Sequence, residues 1–258
     1  SKLRFFISLV VDQRPTDDAT HNFGIRPLPN LEAKFVSANT LIPVEYDSSL
    51  VDGAPDVIKY KELLKELNHK IFLARRNIDK QNLKKQIKET RKALADAIEE
   101  TGFVSHGAAQ QLADWDMFDQ NTSSSFFDPE WMFGVKGGFD IVIANPPYIQ
   151  LSKLPNVSES YKKTLKAVYK TSGGRLNLFI FMIHYALKVL SNNGVMSYII
   201  PNTILTQEYY KDTRELILKN RLLSIVNYDE MEFENAVVEN VTLFVTSEQP
   251  TCDYLLSV

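Results

Sequence analysis

The stretch Phe139-Asp140-Ile141-Val142-Ile143-Ala144-Asn145-Pro146-Pro147-Tyr148 decides the reading of the fold. Its first six residues form an apolar, β-branched run of the kind buried in a parallel sheet. Two prolines stop the run at once, because neither has an N–H for a ladder and both fix φ. Asn145 to Tyr148 therefore stand at the carboxyl end of a buried strand, the place where open α/β sheets bind their ligands. Such a four-residue string arises by chance in about one chain in a thousand of this length. String and position together say more than a strand-ending turn would.

Downstream, Ser158 to Lys170 and Leu176 to Leu190 carry helical periodicity. Val195 to Ile200 reads as a second buried strand, preceded by the turn Asn192-Asn193-Gly194 and ended by Pro201. Glu208 to Asn220 predicts a helix, Leu222 to Tyr228 a strand, and Val241 to Thr246 a strand that returns after a short connection. Strands alternating with helices predict a Rossmann-like α/β sheet. The short return predicts an antiparallel edge, so the sheet is mixed with its last strand antiparallel. Gly137-Gly138 reads as the turn before the first strand, and Gly173-Gly174 as a linker.

Upstream, Leu3, Phe5, Phe6, Leu9 and Val10 predict an amphipathic helix over residues 2–12, and Leu31 to Val36 a short strand with a turn at Ser37 to Thr40 behind it. Between Asp56 and Glu100 there is neither Gly nor Pro, and Val57, Tyr60, Leu64, Leu67, Ile71, Ala74 and Ile78 alternate three and four apart. That seam predicts a long helix packed on a partner. Its phase breaks after Ile78, and Leu83, Ile87, Leu94 and Ile98 predict a second helix folding back as a hairpin. Residues 57–92 hold 12 Lys or Arg against 4 Asp or Glu, a balance of +8 that leaves −11 for the rest. A charge run of this kind is usually the solvated face of a hairpin; the alternative is an arm that contacts phosphates through Lys84, Lys85 and Lys88.

The whole chain of 258 residues is 44% apolar and 24% charged, with net charge −3, which excludes disorder and a global positive field. Cys252 is the only cysteine, so a disulfide framework and a multi-cysteine metal site are excluded, and a reducing compartment fits. No apolar run approaches the length of a membrane span. His21, His69, His106 and His184 are scattered, and His184 reads as a core histidine within an apolar helix. Asp114, Asp116, Asp119, Asp128 and Glu130 lack fixed ligand spacing and read as capping and loop residues, so no metal is expected. The start at Ser1 has neither an initiator Met nor the ordered regions of a signal peptide, and the expectation is that the chain begins part-way through something longer.

The residues Asn145 to Tyr148 suit one chemical problem. The lone pair of an exocyclic amino group on a base such as adenine is delocalised into the ring, which makes it a poor nucleophile. Two acceptors aimed at its two hydrogens hold it and favour a more tetrahedral nitrogen. Asn145 offers a side-chain oxygen and Pro146 a backbone carbonyl, while Pro146 and Pro147 add rigidity and no competing donor. Tyr148 supplies a face on which a base can stack. A base within a duplex reaches such a pocket only by being flipped out.

In these residues the chain resembles the S-adenosylmethionine-dependent amino-methyltransferases, and among them the adenine-N6 DNA methyltransferases of bifunctional type II (type IIG) restriction-modification enzymes. Phe127 to Gly134 and Gly138 to Tyr148 resemble the approach to that group's catalytic motif, and Gly194 to Leu205, with Ile199-Ile200-Pro201-Asn202, is similar to the following strand and loop. Glu232-Phe233-Glu234-Asn235-Ala236 resembles the late motif whose aromatic residue flanks the flipped base, which implies that Phe233 stacks opposite Tyr148. Leu28 to Leu31 and Ala38 to Ile42 resemble the segment that meets the cofactor's adenine, which implies Asn39; Ala38 stands where family members often carry Gly.

The resemblance implies a division into a partial core over residues 1–55, a helical insertion over 56–115 and a catalytic half over 116–258. The helix at Lys2 to Asp12 resembles the one that follows the family's ribose-binding acidic position, which would precede residue 1. There is no Gly-x-Gly, no Gly-Lys-Ser or Gly-Lys-Thr, and no convincing Glu-x-Lys after Pro55-Asp56. The cofactor loop, any nuclease and the target-recognition segments are therefore expected elsewhere, in cis or in trans, and weak or absent S-adenosylmethionine binding is expected of this chain alone. The implied partner is double-stranded DNA, in the cytoplasm of a bacterium or archaeon. Two other readings stand beside this one. The same tetrapeptide serves methylation of a release-factor glutamine or an RNA base, although the helical insertion and the Phe233 motif favour DNA. The other is a noncatalytic DNA-binding or scaffold module.

Overall fold

The computed structural model describes residues 2–26, 28–42, 51–119, 121–154, 158–169, 176–228 and 239–250, and divides the chain into two units, Ser1–Gly134 and Val135–Val258.

The first unit is helical. Helix α1 (Lys2–Val11) is followed by 3-10 turns at Ala19–Gly24 and Leu31–Lys34, then by α2 (Pro55–Leu73), α3 (Asn77–Glu100), α4 (His106–Asp114) and α5 (Pro129–Phe133). Pro55 suits the first turn of α2, where its missing N–H has no intrahelical partner anyway. Val57, Leu64, Leu67 and Ile71 of α2 meet Ile87, Leu94, Ala95 and Ile98 of α3 in one buried cluster that also takes in Leu112, Phe126, Trp131 and Met132. This is the expected hairpin, with its turn displaced. The break falls at Ala74 to Arg76 rather than after Ile78, because Asn30 reaches across to donate to the carbonyls of Ile71 (2.6 Å) and Ala74 (2.8 Å) and ends α2 there. Ile78 is consequently 65% exposed on α3 instead of completing the seam. Helix α5 shows full capping: Asp128 accepts from the Trp131 N–H, Pro129 stands at the first turn, and Gly134 closes the end at φ 69°.

One expectation fails in this unit. Leu31 to Val36 is not a strand but a 3-10 turn followed by extended backbone, whose one ladder contact among the described residues is an isolated bridge from Ala38 to Ser124. Helix α1 forms as expected, yet Leu3, Phe5 and Val10 of its apolar face are 71%, 56% and 55% exposed, with Phe5 edge-on to Phe35.

In the second unit β1 (Phe139–Ala144) is followed by α6 (Glu159–Tyr169), α7 (Leu178–Val189), β2 (Leu190–Pro201), α8 (Thr203–Thr206), α9 (Lys211–Leu218), β3 (Arg221–Asn227) and β4 (Asn240–Thr246). The strands form one open mixed sheet in the order β1-β2-β4-β3. Strands β1 and β2 are parallel, and β4 runs antiparallel to both of its neighbours. The last strand is antiparallel as expected, but it is not an edge: it inserts between β2 and β3 and leaves β3 outermost of the described strands. Its near-continuous burial follows from that central position, with Val241, Leu243 and Val245 packed under Phe179, Ile180 and Ile183 of α7 in one cluster. Strand β1 was expected to be buried on both faces. Instead Ile141 and Ile143 are 65% and 75% exposed, and only Val142 and Ala144 pack into the cluster.

The turn expected at Asn192 to Gly194 appears as an irregularity within β2. Phe139 pairs with Leu190 and Ile141 with Val195, so β2 spends extra residues there, and Asn193 takes φ 65°. The two glycines that flank it are required. At Gly138, φ is 97° and a Cβ would lie 2.5 Å from the Leu190 carbonyl carbon; at Gly194 a Cβ would lie 2.7 Å from the Phe139 oxygen.

Candidate active site

Asn145 to Tyr148 leave the carboxyl end of β1 beside the carboxyl end of β2, where Ala144 pairs with Tyr198. Asn145 is exposed, and its amide makes no hydrogen bond among the described residues. Pro146 is buried and Pro147 exposed. Tyr148 is half-buried, its hydroxyl donates to the Ile199 carbonyl at 2.9 Å, and its ring stands edge-on to Phe179 with centroids 6.2 Å apart. Burial raises the phenol's pKa, so the hydroxyl stays protonated and keeps donating. The chain beyond is clamped: Leu178 donates to Ile149 and Leu151 to Leu176, while Asn177, almost fully buried, caps α7 by accepting from Phe179. A rigid turn thus presents one side-chain acceptor, one backbone carbonyl and one anchored ring at the end of a strand.

The sequence pointed to the tetrapeptide but not to its supports. Ile199 acts through its backbone, to which no side-chain pattern points, and Phe179 is one apolar residue in an apolar helix. Asn177 was legible as a cap directly before that helix.

Phe233 lies outside the described residues. The connection that carries it starts after Asn227, which pairs with Val241, and ends before Asn240, which pairs with Pro201 at the end of β2. Asn39, Lys84, Lys85 and Lys88 belong to the first unit. Asn39 is half-buried in a turn, its N–H bonded to the Ser124 carbonyl (2.9 Å) and its carbonyl accepting from Ile42 (3.2 Å). On α3, Lys84 lies over the Phe118 ring, Lys85 approaches Glu89 at 3.9 Å and Lys88 is exposed. The acidic residues take local roles. Asp116 accepts from the Phe118 N–H, Asp119 from Asn121 and Thr122, and Glu130 pairs with Lys61 at 3.0 Å.

His184 is half-buried, with Nε2 3.4 Å from the Thr213 hydroxyl and its ring edge-on to Tyr169. Burial pushes its pKa down, against a weaker opposing effect of Asp212, so it is neutral at pH 7. A histidine with a lowered folded pKa stabilises the native state above its unfolded pKa of about 6.5, and that contribution is lost as pH falls through the lower folded value. His184→Gln is expected to flatten the loss of stability between pH 7.5 and 5. Urea midpoints measured across that range check it, and parallel curves for the two proteins would contradict it.

The open mixed sheet, with its helices and its strand-end Asn-Pro-Pro-Tyr turn, defines the class as a Rossmann-like methyltransferase fold. The chain belongs to the Eco57I restriction-modification methylase family, whose model matches residues 1–233. Among its relatives is the type II restriction enzyme and methyltransferase RM.Eco57I of Escherichia coli, 24% identical over 116 residues, which are 43% of this chain and 11% of that protein. The modification methylase CviBIII of Paramecium bursaria Chlorella virus NC1A is 33% identical over 100 residues, 38% of this chain and 24% of the relative. The chain thus spans a minor part of the relatives it matches. A similar solved structure is that of the type IIG restriction endonuclease BpuSI, at 16% identity and TM-score 0.37, over 76% of this chain and 25% of that one. No helix among the described residues is long and apolar enough to cross a membrane.

Proposed function

We propose that the protein methylates DNA at N6 of adenine, on a base flipped out of the duplex, as part of a restriction-modification enzyme in the cytoplasm of a bacterium or archaeon. The observation that carries this reading is the turn at Asn145 to Tyr148, with its exposed amide, its buried proline and a ring fixed by the Ile199 carbonyl. Asn145 Oδ1 and the Pro146 carbonyl accept from the two amino hydrogens, which holds the nitrogen and frees its lone pair. Tyr148 stacks on one face of the base, and Phe233 is assigned the other. The tyrosine is already immobilised by its hydroxyl and by Phe179, so stacking costs it little further ordering.

S-adenosylmethionine would supply the methyl group as an electrophile on sulfur. Asn39 is the residue assigned to it, although its backbone is committed to the turn with Ser124 and Ile42. The chain has no Gly-x-Gly, and weak or absent donor binding by the 258 residues alone belongs to the proposal. Recognition of a DNA sequence and any cleavage are assigned to other segments.

The deciding experiment incubates the full-length protein with methyl-labelled donor and, separately, duplex DNA, ribosomal RNA and a release factor. Label recovered as N6-methyladenine in DNA is the expected result. Label in N4-methylcytosine, in RNA or in a glutamine side chain would overturn the assignment.

A further inference from the structure

Helices α3 and α4, with the chain that follows α4, enclose a groove of about 910 Å³. Lys84, Lys88 and Lys92 recur along α3 at four-residue spacing, so they share a face, and Arg91 lies in the wall between them. Arg91 is only 2% exposed. Its guanidinium lies 4.1 Å from the Trp115 ring centre and donates to the Trp115 carbonyl (3.3 Å) and the Met117 sulfur (3.4 Å), and its Nε has no hydrogen-bond partner. No carboxylate pairs with it at ion-pair distance among the described residues; Asp116 acts on it only through the field. A buried cation bonded only to neutral acceptors leaves its charge poorly compensated. Burial pulls its pKa to about 9, so it remains charged at neutral pH. Lys84 extends over the Phe118 ring and is held toward the same groove, while Lys88 and Lys92 form no ion pair among the described residues.

We infer that this stripe binds the phosphodiester backbone of duplex DNA. Eight residues of helix from Lys84 to Lys92 span about 12 Å, enough to follow about three phosphates of one strand. The lysine end of the groove also holds Glu89 and Asp116, which Lys84, Lys85, Lys88, Arg91 and Lys92 outnumber, and beyond Lys92 the lining turns to Asp96, Glu99 and Asp114. A polyanion is therefore favoured toward the Lys84 end and disfavoured at the other. The hairpin seam and the charge stripe use different faces of α3: Ile87, Leu94 and Ile98 are in the core, while Lys88 and Lys92 stay exposed. The identity of the polymer rests on the DNA-methylation reading.

The test replaces Lys84, Lys88 and Lys92 by Gln in the full-length protein and follows binding to labelled duplex by anisotropy across a salt series. The slope of log affinity against log salt should become shallower by about two to three, with affinity at low salt down about tenfold or more. A matched variant with Lys188, Lys211 and Lys219 replaced by Gln keeps the original slope. An unchanged slope in the stripe variant, an equal loss in the matched variant, no DNA binding at all, or a loss confined to RNA would each overturn the inference. The two readings fail separately: intact methylation with an unchanged slope removes the groove alone, whereas a steep, stripe-dependent slope in a protein that never methylates DNA removes the methylation reading and leaves the groove.

Discussion

Asn145→Ala is expected to lower DNA methylation by about a hundred- to a thousandfold in kcat while leaving the melting temperature where it was. The size follows from the role. Removing one preorganised group that acts on the reacting atom as the transition state forms costs about two to three orders of magnitude in other enzymes. The neutrality for folding follows from the structure: the side chain is exposed and its amide has no hydrogen bond among the described residues, so truncation should change stability by no more than about 0.5 kcal/mol. KM for DNA should move little, because the proposed Tyr148 stacking and phosphate contacts remain. Steady-state rates with labelled methyl donor, set beside a thermal melt of the same preparation, check both halves. Methylation near the wild-type rate would remove Asn145 from the chemistry. A parallel drop in melting temperature would make it a structural residue instead.

The largest stability effect is expected at Gly138→Ala, on the order of 3–5 kcal/mol. Two penalties combine there. The backbone has φ 97°, which side-chain-bearing residues rarely adopt, and the added Cβ would lie 2.5 Å from the Leu190 carbonyl carbon, with more Leu190 and Ser191 backbone within 2.6 Å. Neither side can yield cheaply, since Phe139 pairs with Leu190 at the start of the β1–β2 ladder. Gly137→Ala is the internal comparison. Its φ is 85°, yet nothing lies within 4 Å of its would-be Cβ, so it should cost only the conformational part, about 1–2 kcal/mol. Denaturant midpoints of the two variants check this, and equal midpoints would show that the approach to Leu190 is not what demands glycine.

The strand–helix alternation and the tetrapeptide were legible because each is written locally: an apolar run, a proline stop, a capped helix. What escaped depends on distant partners. The hairpin turn lies earlier than its heptad phase suggests because Asn30, more than forty residues away, caps α2 through its side chain. Leu31 to Val36 has strand-like composition but no neighbouring strand among the described residues, and an extended segment without a ladder is not a strand. The placing of β4 between β2 and β3 is a choice of pairing partner, which periodicity does not encode. At the site, the residue types proposed to meet a base were readable, whereas the carbonyl that fixes Tyr148 has no side-chain signature.

That insertion of β4 sets an order of events in folding. Among the described strands β3 has no neighbour until β4 arrives, and β4 closes loops of about forty to fifty residues to reach β2, from the Pro201–Asn240 pair to the Val195–Thr246 pair. During synthesis the β1–β2 pair and α7 can assemble first, but β3 waits until Thr246 has left the ribosome. The pairing of Pro201 with Asn240 is thus among the last parts of this sheet to be made. A nascent chain carries the Asn145 side chain and the Pro146 carbonyl well before it has the sheet that holds them in place, so the turn should become fixed only once β4 has docked.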